Sequence, residues 1–406
     1  MRSSVAERPI TGEIDLSPSE GSLSWLGGIM IDGSAEEDSA NPNKLSMFSE
    51  LGRVAVGEVK TIERTDGFYN PAAWMDDDDI TYLLGRYVEM IPDQQSPDED
   101  TSSEMPVIGG GPDTTGLIKL MALGRDGQIV DELTRVVWES KPGEPSFEDF
   151  RVFKDPEDPD GKLNFGLTYV EPDGTPYPAV MITTTEELRN GRPEPHVIRV
   201  LDDGQRISGD QTTPLNEEGT RVPGKNGTWI DQHSYMYRPN DRLHQFEVLK
   251  VEGDSVTHQQ YIELPEDISW GKWAMGTCMS PEWTDNTHQE SFMLIHGITV
   301  VNREFVYSVA PARLFRKKSG ELAIDNIADV PLLTSASSDR VKKVVQRHKG
   351  RDAFYTVGWV PHRDEAGDLV QVDVYVSPGD SRVDEVIVDP RGIIENWKRP
   401  ETAIAA

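Results

Sequence analysis

The sequence predicts an all-β fold in which short sheets repeat radially around an axis, a β-propeller. Three observations carry this expectation. Short runs rich in β-branched and aromatic side chains recur from Phe68 to Val388, each bounded by turn residues. Helical periodicity is nearly absent over roughly 350 residues; the exception is Ser337 to His348, where Val341, Val344 and Val345 share one helix face. A sheet protein of 406 residues must also protect many strand edges, which radial repetition does better than a stacked sandwich.

Residues 1–60 show little period, and Ser34 to Asn43 has loop composition. Phe68–Met75 and Ile80–Met90 form a hairpin around an acidic turn, Asp76 to Asp79, which lacks the glycine-punctuated spacing of a cation loop. Pro92 to Asp113 is a long surface insertion rich in Pro, Asp, Ser and Gly. Leu117–Leu123, the turn Gly124–Gly127 and Gln128–Val130 read as strand, turn, strand. Strands are then expected at Ser146–Phe153, Lys162–Val170, Ala179–Thr184, His196–Leu201, Trp229–Arg238 and His244–Val251. The last set is Glu290–Gly297, Phe305–Ala310, Ala353–Val360, Leu369–Val376 and Val383–Val388. One propeller over residues 61–395, an extension over 1–60 packing on it and a tail over 396–406 account for the chain.

Acidic residues number 71 against 40 basic ones, a net charge of −31. A field of that sign repels nucleic acid and anionic lipid, so neither is an expected partner, and it suits a salt-rich cytoplasm. No stretch has the apolar length of a membrane span, and Met1 to Pro9 lacks the apolar region of a secretory signal, so a cytoplasmic location is expected. The single cysteine, Cys278, excludes an internal disulfide and a thiolate cluster. No metal-ligand spacing, phosphate-binding glycine loop or nucleophile elbow occurs, so neither a metal nor an organic cofactor is expected.

The chemistry centres on Ser146–Phe153, where Glu148, Asp149 and Arg151 sit between apolar residues. Strand alternation puts Asp149 and Arg151 on one face and Glu148 on the other. Two readings follow: a structural ion pair, or a carboxyl that delivers a proton, which needs partial burial away from the cation.

Several runs taken together resemble glycoside hydrolase family 130, the phosphorylases and hydrolases of β-mannosides. Asn70-Pro71-Ala72-Ala73 with Leu83-Leu84-Gly85-Arg86 and Glu89 resembles its first hairpin, and Glu148-Asp149-Phe150-Arg151 its Glu-Asp-Pro-Arg signature. Lys225-Asn226 and Tyr237-Arg238-Pro239, on consecutive strands, are similar to its Lys-Asn and His-Arg-Pro pair. Leu294-Ile295-His296-Gly297 is similar to Ile-Tyr-His-Gly, and Val374 to Asp380 to Tyr-Tyr-Gly-Ala-Ala-Asp. Phe150 replaces a proline and Ala72 a glycine. Where the family's phosphorylases carry Pro-Pro-Ile-Lys-Thr, this chain has Ser280-Pro281-Glu282-Trp283-Thr284, followed by an extra segment, Asp285 to Gln289.

The resemblance implies a five-bladed propeller acting by inversion on an oligosaccharide, with Asp149 as proton donor and Asn70, Arg86, Asn226 and Asp380 binding the sugar. Lys225, Arg238 and His296 would hold inorganic phosphate as co-substrate, giving a sugar 1-phosphate. The loss of the phosphorylase lysine points instead to hydrolysis, with Glu282 as base and Glu290 a weaker candidate, since inversion by water needs a second carboxylate about 6.5–9.5 Å from the acid. A propeller that binds carbohydrate without turnover is the third reading. Beside these roles, Arg86 and Arg238 suit ion pairs between blades, His296 a satisfied core position and Asp380 a turn. The tryptophans suit core or pocket wall. Linkage and oligomeric state, a homo-oligomer included, are left open.

Overall fold

In a computed structural model of the chain, the described residues are 56–87, 116–155, 158, 160–200, 205–210, 220–221, 224–239, 244–252, 255–265, 268, 273–277, 279–301, 304–328, 331–334, 354–378 and 382–395. The helix expected at 337–348, the insertion at 92–113, Cys278 and Asp380 lie outside them.

The protein is a five-bladed β-propeller. Strand β1 (Val56–Thr61) precedes blade I, formed by β2 (Phe68–Met75), β3 (Thr81–Tyr87), β4 (Gly116–Leu123) and β5 (Arg135–Ser140). Blade II holds β6 (Ser146–Lys154), β7 (Leu163–Val170), β8 (Pro176–Thr183) and β9 (His196–Val200), with β10 (Gln205–Asp210) and β11 (Thr220–Arg221) on its outer side. Blade III holds β12 (Lys225–Trp229), β13 (Ser234–Arg238), β14 (Gln245–Glu252) and β15 (Ser255–Glu263). Blade IV holds β16 (Trp273–Thr277), β17 (Glu282–Trp283), β18 (Glu290–Val301), β19 (Glu304–Arg316), β20 (Leu322–Asp325) and β21 (Leu333–Thr334). Blade V holds β22 (Phe354–Arg363), β23 (Leu369–Pro378) and β24 (Asp384–Val388), and β1 completes it by pairing antiparallel with β24. The first described strand thus closes the ring on the last, and it straddles the 60/61 boundary drawn from the sequence. Blades II and III share β10, which pairs with both β9 and β15.

Five apolar clusters fill the five gaps between neighbouring blades. Trp74, Tyr82, Trp138, Phe150 and Phe165 pack between blades I and II, and Phe153, Val180, Trp229 and Tyr235 between II and III. Met236, Phe246, Met293 and Leu314 fill the gap from III to IV, and Phe292, Leu294, Trp359 and Val374 that from IV to V. Phe68, Leu83, Val360 and Tyr375 close V onto I. Strands such as β2, β7 and β13 bury residues on both faces because each blade is covered by two neighbours, which is why these sequence runs are apolar rather than cleanly alternating.

Two features repeat with the blades. Every innermost strand carries a register shift near its start: between Tyr69 and Ala72, Glu148 and Arg151, Lys225 and Thr228, Trp273 and Gly276, and Thr356 and Gly358. The turns that follow these strands are each led by an aspartate whose carboxylate accepts the N–H two residues on: Asp76 from Asp78, Asp158 from Asp160, Asp231 from His233, Asp285 from Thr287 and Asp364 from Ala366. The acidic turn at Asp76 is one of these five. The run Trp229–Arg238, expected as a single strand, is broken by the turn at Asp231 into β12 and β13. A helix not expected from the sequence, α1 (Thr185–Asn190), is held by a capping box between Thr184 and Glu187.

At the bulge of β22 the neighbouring blades approach closely. A Cβ on Gly358 would lie 2.3 Å from Pro71 O and 2.6 Å from Ala73 N of β2, both backbone atoms with no freedom to move aside. Gly358→Ala is expected to lower stability by about 3 kcal/mol in urea unfolding, whereas Gly392→Ala, which meets nothing within 4 Å, should change it by less than about 0.5 kcal/mol.

Candidate functional site

Each innermost strand is entered from the outer edge of the preceding blade, so all five run the same way along the axis. Their bulges therefore lie together at the end where the strands begin. In three of them the bulged residue adopts a left-handed backbone: Asn70 (φ 51°), Asp149 (φ 54°) and Asn226 (φ 58°). Asparagine and aspartate tolerate that region better than other non-glycine residues. The result is a ring of polar side chains re-aimed out of strand alternation.

The bulge at Asp149 corrects the expected pairing with Arg151. Arg151 donates to the Asp149 backbone carbonyl at 2.7 Å, to Thr277 O at 3.2 Å and to Asn226 Oδ1 at 3.1 Å, and its side chain is fully buried. Glu148 instead forms an ion pair with Arg86 across blades I and II, Nη2 to Oε1 at 3.0 Å, and the Arg86 guanidinium lies over the Tyr69 ring. Arg86 is therefore held in an ion pair between blades.

Asn70 is buried, donates its backbone N–H to Ser377 Oγ of blade V at 2.8 Å, and reaches Asp149 Oδ1 with Nδ2 at 3.5 Å. Its Oδ1 is buried with no hydrogen-bond partner among the described residues. The Asp149 carboxylate thus keeps one long side-chain contact and partial exposure.

On the opposite side of Arg151, Asn226 Nδ2 lies 3.3 Å from His296 Nε2, and Thr277 Oγ1 donates to Asn226 O at 3.0 Å. With Asn226 Oδ1 engaged by Arg151, its amide donates and His296 Nε2 accepts. Burial, then the positive charges of Arg238, Arg151 and Lys225, hold the His296 ring well below the usual histidine pKa, against a hydrogen bond with the Thr277 backbone. His296 is accordingly a neutral acceptor here, not a third cation. Lys225 and Arg238 sit directly opposite one another on β12 and β13, and Arg238, also buried, reaches Met275 O at 3.4 Å.

One end of the axis thus gathers Asn70, Arg86, Asp149, Lys225, Asn226, Arg238 and His296. Asp380 is outside the described residues. Glu282 is not brought to this end. It lies in β17 opposite Phe292, four residues or about 13 Å along β18 from His296, and pairs with Arg363 at the end of β22, Nη2 to Oε2 at 3.2 Å. There it lines a cavity of about 1640 Å³ between the strand ends and the aspartate-led turns, which Asn70, Asp149 and Asn226 do not line. Burial pushes the Glu282 carboxyl up to about 7, with the Arg363 charge and hydrogen bond pulling the other way. Glu290 is tied to Arg313 at 3.1 Å. Sequence reasoning missed Thr277 and Ser377, and it took Arg151 for a partner of the Asp149 carboxylate when it is the buried hub between blades II, III and IV.

No protein-family model matches the chain, and no curated protein matches it. Among solved structures, a β-1,2-mannobiose phosphorylase from Listeria innocua in complex with β-1,2-mannobiose aligns over 86% of this chain and 98% of its own, at 13% identity and a TM-score of 0.50. The chain shares its fold with that structure. A mannose phosphorylase from Leishmania mexicana in complex with phosphate aligns over 84% and 90% of the two chains, at 15% identity and a TM-score of 0.43. The catalytic domain of a GH62 α-L-arabinofuranosidase from Coprinopsis cinerea aligns over 84% and 98%, at 9% identity and 0.41. At such identities the likeness is one of fold.

Two expectations follow from the geometry. Asp149→Gly should raise stability by about 1 kcal/mol in urea unfolding, because glycine accepts the left-handed backbone without cost and the carboxylate contributes one long bond. For His296, the unfolded chain takes up a proton below about pH 6.5 while the folded ring does not, so stability falls as pH drops through that value. The melting temperature of His296→Gln should therefore fall less between pH 7.5 and pH 5.5 than that of the wild type.

Proposed function

We propose that the protein is an inverting glycoside phosphorylase that cleaves a β-mannoside or a related oligosaccharide and releases a sugar 1-phosphate in the cytoplasm. The observation that carries this reading is the pairing, at one end of the axis, of the Asp149 carboxyl with a group of cations, Arg151, Lys225 and Arg238, close enough to depress His296. The Listeria innocua phosphorylase, of like fold, supports the choice of a mannoside.

In this mechanism Asp149 gives its proton to the glycosidic oxygen, directly or through a sugar hydroxyl, as that oxygen leaves the anomeric carbon. Phosphate attacks the same carbon from the opposite face, so one C–O bond breaks, one C–O bond to phosphate forms and the configuration inverts. The proton lost by hydrogen phosphate equals the one gained by the leaving sugar, and it restores Asp149. Lys225 and Arg238 neutralise the phosphate charge, Lys225 as a point charge and Arg238 as a planar fork. Asn226, which spends one Nδ2 hydrogen on neutral His296, has a second to donate, and the unpartnered Oδ1 of Asn70 accepts from a sugar hydroxyl. Phosphorolysis is favoured over hydrolysis because Glu282, the carboxylate that hydrolysis would require, lines a cavity that Asp149 does not.

Incubation with β-linked mannobioses is the test. Mannose 1-phosphate is expected in the presence of phosphate and none in its absence, and Asp149→Asn should reduce turnover by about 10²–10⁴. Free mannose released without phosphate, and lost in Glu282→Gln, would establish hydrolysis instead. Sugar binding with no product under either condition would make the propeller a binding module.

A further inference from the structure

The cavity at the other mouth of the propeller is built more elaborately than a solvent gap requires. Trp283, mostly buried, is stacked under the exposed His288 ring with centroids 5.5 Å apart and planes at 24°. His288 is held in a left-handed backbone (φ 53°) within the extra segment Asp285 to Gln289. That segment is fixed on both sides: Asp285 closes its turn, and Asn286 Nδ2 donates to Ala366 O at 2.8 Å in the facing turn of blade V. Arg363 Nη1 donates to Gly367 O at 3.0 Å while Nη2 holds Glu282, so the guanidinium and the carboxylate are locked in place. The other Glu282 oxygen has no partner among the described residues.

We propose that this mouth is a second saccharide-binding site, in which the His288–Trp283 shelf stacks on the apolar face of a neutral sugar and the Glu282–Arg363 pair binds its hydroxyls. The acidic residues around the rim do not make it a cation trap. Asp76, Asp158 and Asp231 are already consumed by their own turns, Asp231 also pairs with Arg316 at 3.0 Å, and Asp155 accepts from Gln232. Among the described residues no three carboxylate, histidine or cysteine side chains converge as a metal set. Beside the flat ring stands an ion pair with fixed donors and acceptors. A polyhydroxylated ring uses both kinds of surface, whereas an anion meets the acidic rim and a purely apolar ligand leaves the pair unsolvated. The site is distinct from the one around Asp149, so it does not rest on the phosphorylase reading.

Calorimetric titration of the full chain with β-1,4-mannotriose, without phosphate, tests it. Two binding events are expected. His288→Ala and Arg363→Met should each weaken one of them about tenfold or more and spare the other, and Asn70→Ala should do the reverse. Should Arg363→Met fail to fold, Glu282→Gln takes its place, and His288→Ala, at an exposed position, is the variant least exposed to that failure. A single event abolished by Asn70→Ala, two events indifferent to His288→Ala and the pair variant, or silence with mannotriose, cellotriose and maltotriose alike would overturn the proposal. If no sugar 1-phosphate forms yet the His288-dependent event persists, the phosphorylase reading fails and this one stands.

Discussion

The constraint on which the site depends is a break in strand regularity repeated at one height in all five blades. A regular innermost strand would show its neighbours alternate residues on a fixed pleat, and Asn70, Asp149 and Asn226 would each be committed to one interblade gap. The bulge adds a residue, releases it from the pleat and directs it along the axis. The left-handed backbone costs about 1–2 kcal/mol per ordinary residue and less for Asn and Asp. Where a neighbouring backbone comes closer still, as Pro71 does to β22, the bulge residue is Gly358, because no Cβ fits. The five interblade clusters outweigh these costs: each buries several aromatic or branched side chains, at about 1.5–3 kcal/mol apiece.

The electrostatics of this end oppose those of the chain as a whole. A net charge of −31 repels anions at long range. Ionic screening limits that field to about 8–10 Å, so an anion that has reached the bulge ring responds to Arg151, Arg238 and Lys225 instead. Arg151 is buried, with donors on the carbonyls of Asp149 and Thr277 and on the Asn226 side-chain oxygen. Neutralising it with the Asp149 carboxylate, as strand alternation suggests, would cancel both groups at once. The bulge prevents this.

Much of the fold was legible because the innermost and second strands of each blade are long, apolar runs between turn residues. Phe68–Met75, Leu163–Val170 and Leu369–Pro378 are unmistakable. Strands β1, β5, β10, β11, β15, β16, β17, β20 and β21 escaped notice; most are outer or short, and their sequences mix polar and apolar residues. The break between β12 and β13 was signalled by Asp231, and the helix α1 by Thr184 three residues before Glu187. Site residues carried by short motifs, such as Asp149 and His296, were legible as positions but not as partners. Nothing in local spacing says that a bulge between Glu148 and Arg151 sends Glu148 to Arg86 and Arg151 to a carbonyl. The partner of Glu282 was hidden for the same reason: nothing near it in the sequence points to Arg363 at the end of β22.

The chemical difference between the two ends follows from topology. Hairpin turns from innermost to second strand all fall at one mouth, and tight turns favour aspartate, whose side chain can take the place of a backbone acceptor. Five blades therefore gather five turn aspartates there, each accepting an N–H of its own turn, and give that rim an acidic cast. The chain enters the innermost strands at the other mouth, where no such turn is needed and bulges present amides, a carboxylate and buried guanidinium groups. A ligand that needs cations and a proton donor together finds them where strands begin, and one that needs a flat ring beside a fixed ion pair finds it where they end. The separation is built into the order of strands, so loop changes such as the segment Asp285 to Gln289 alter one mouth without disturbing the other.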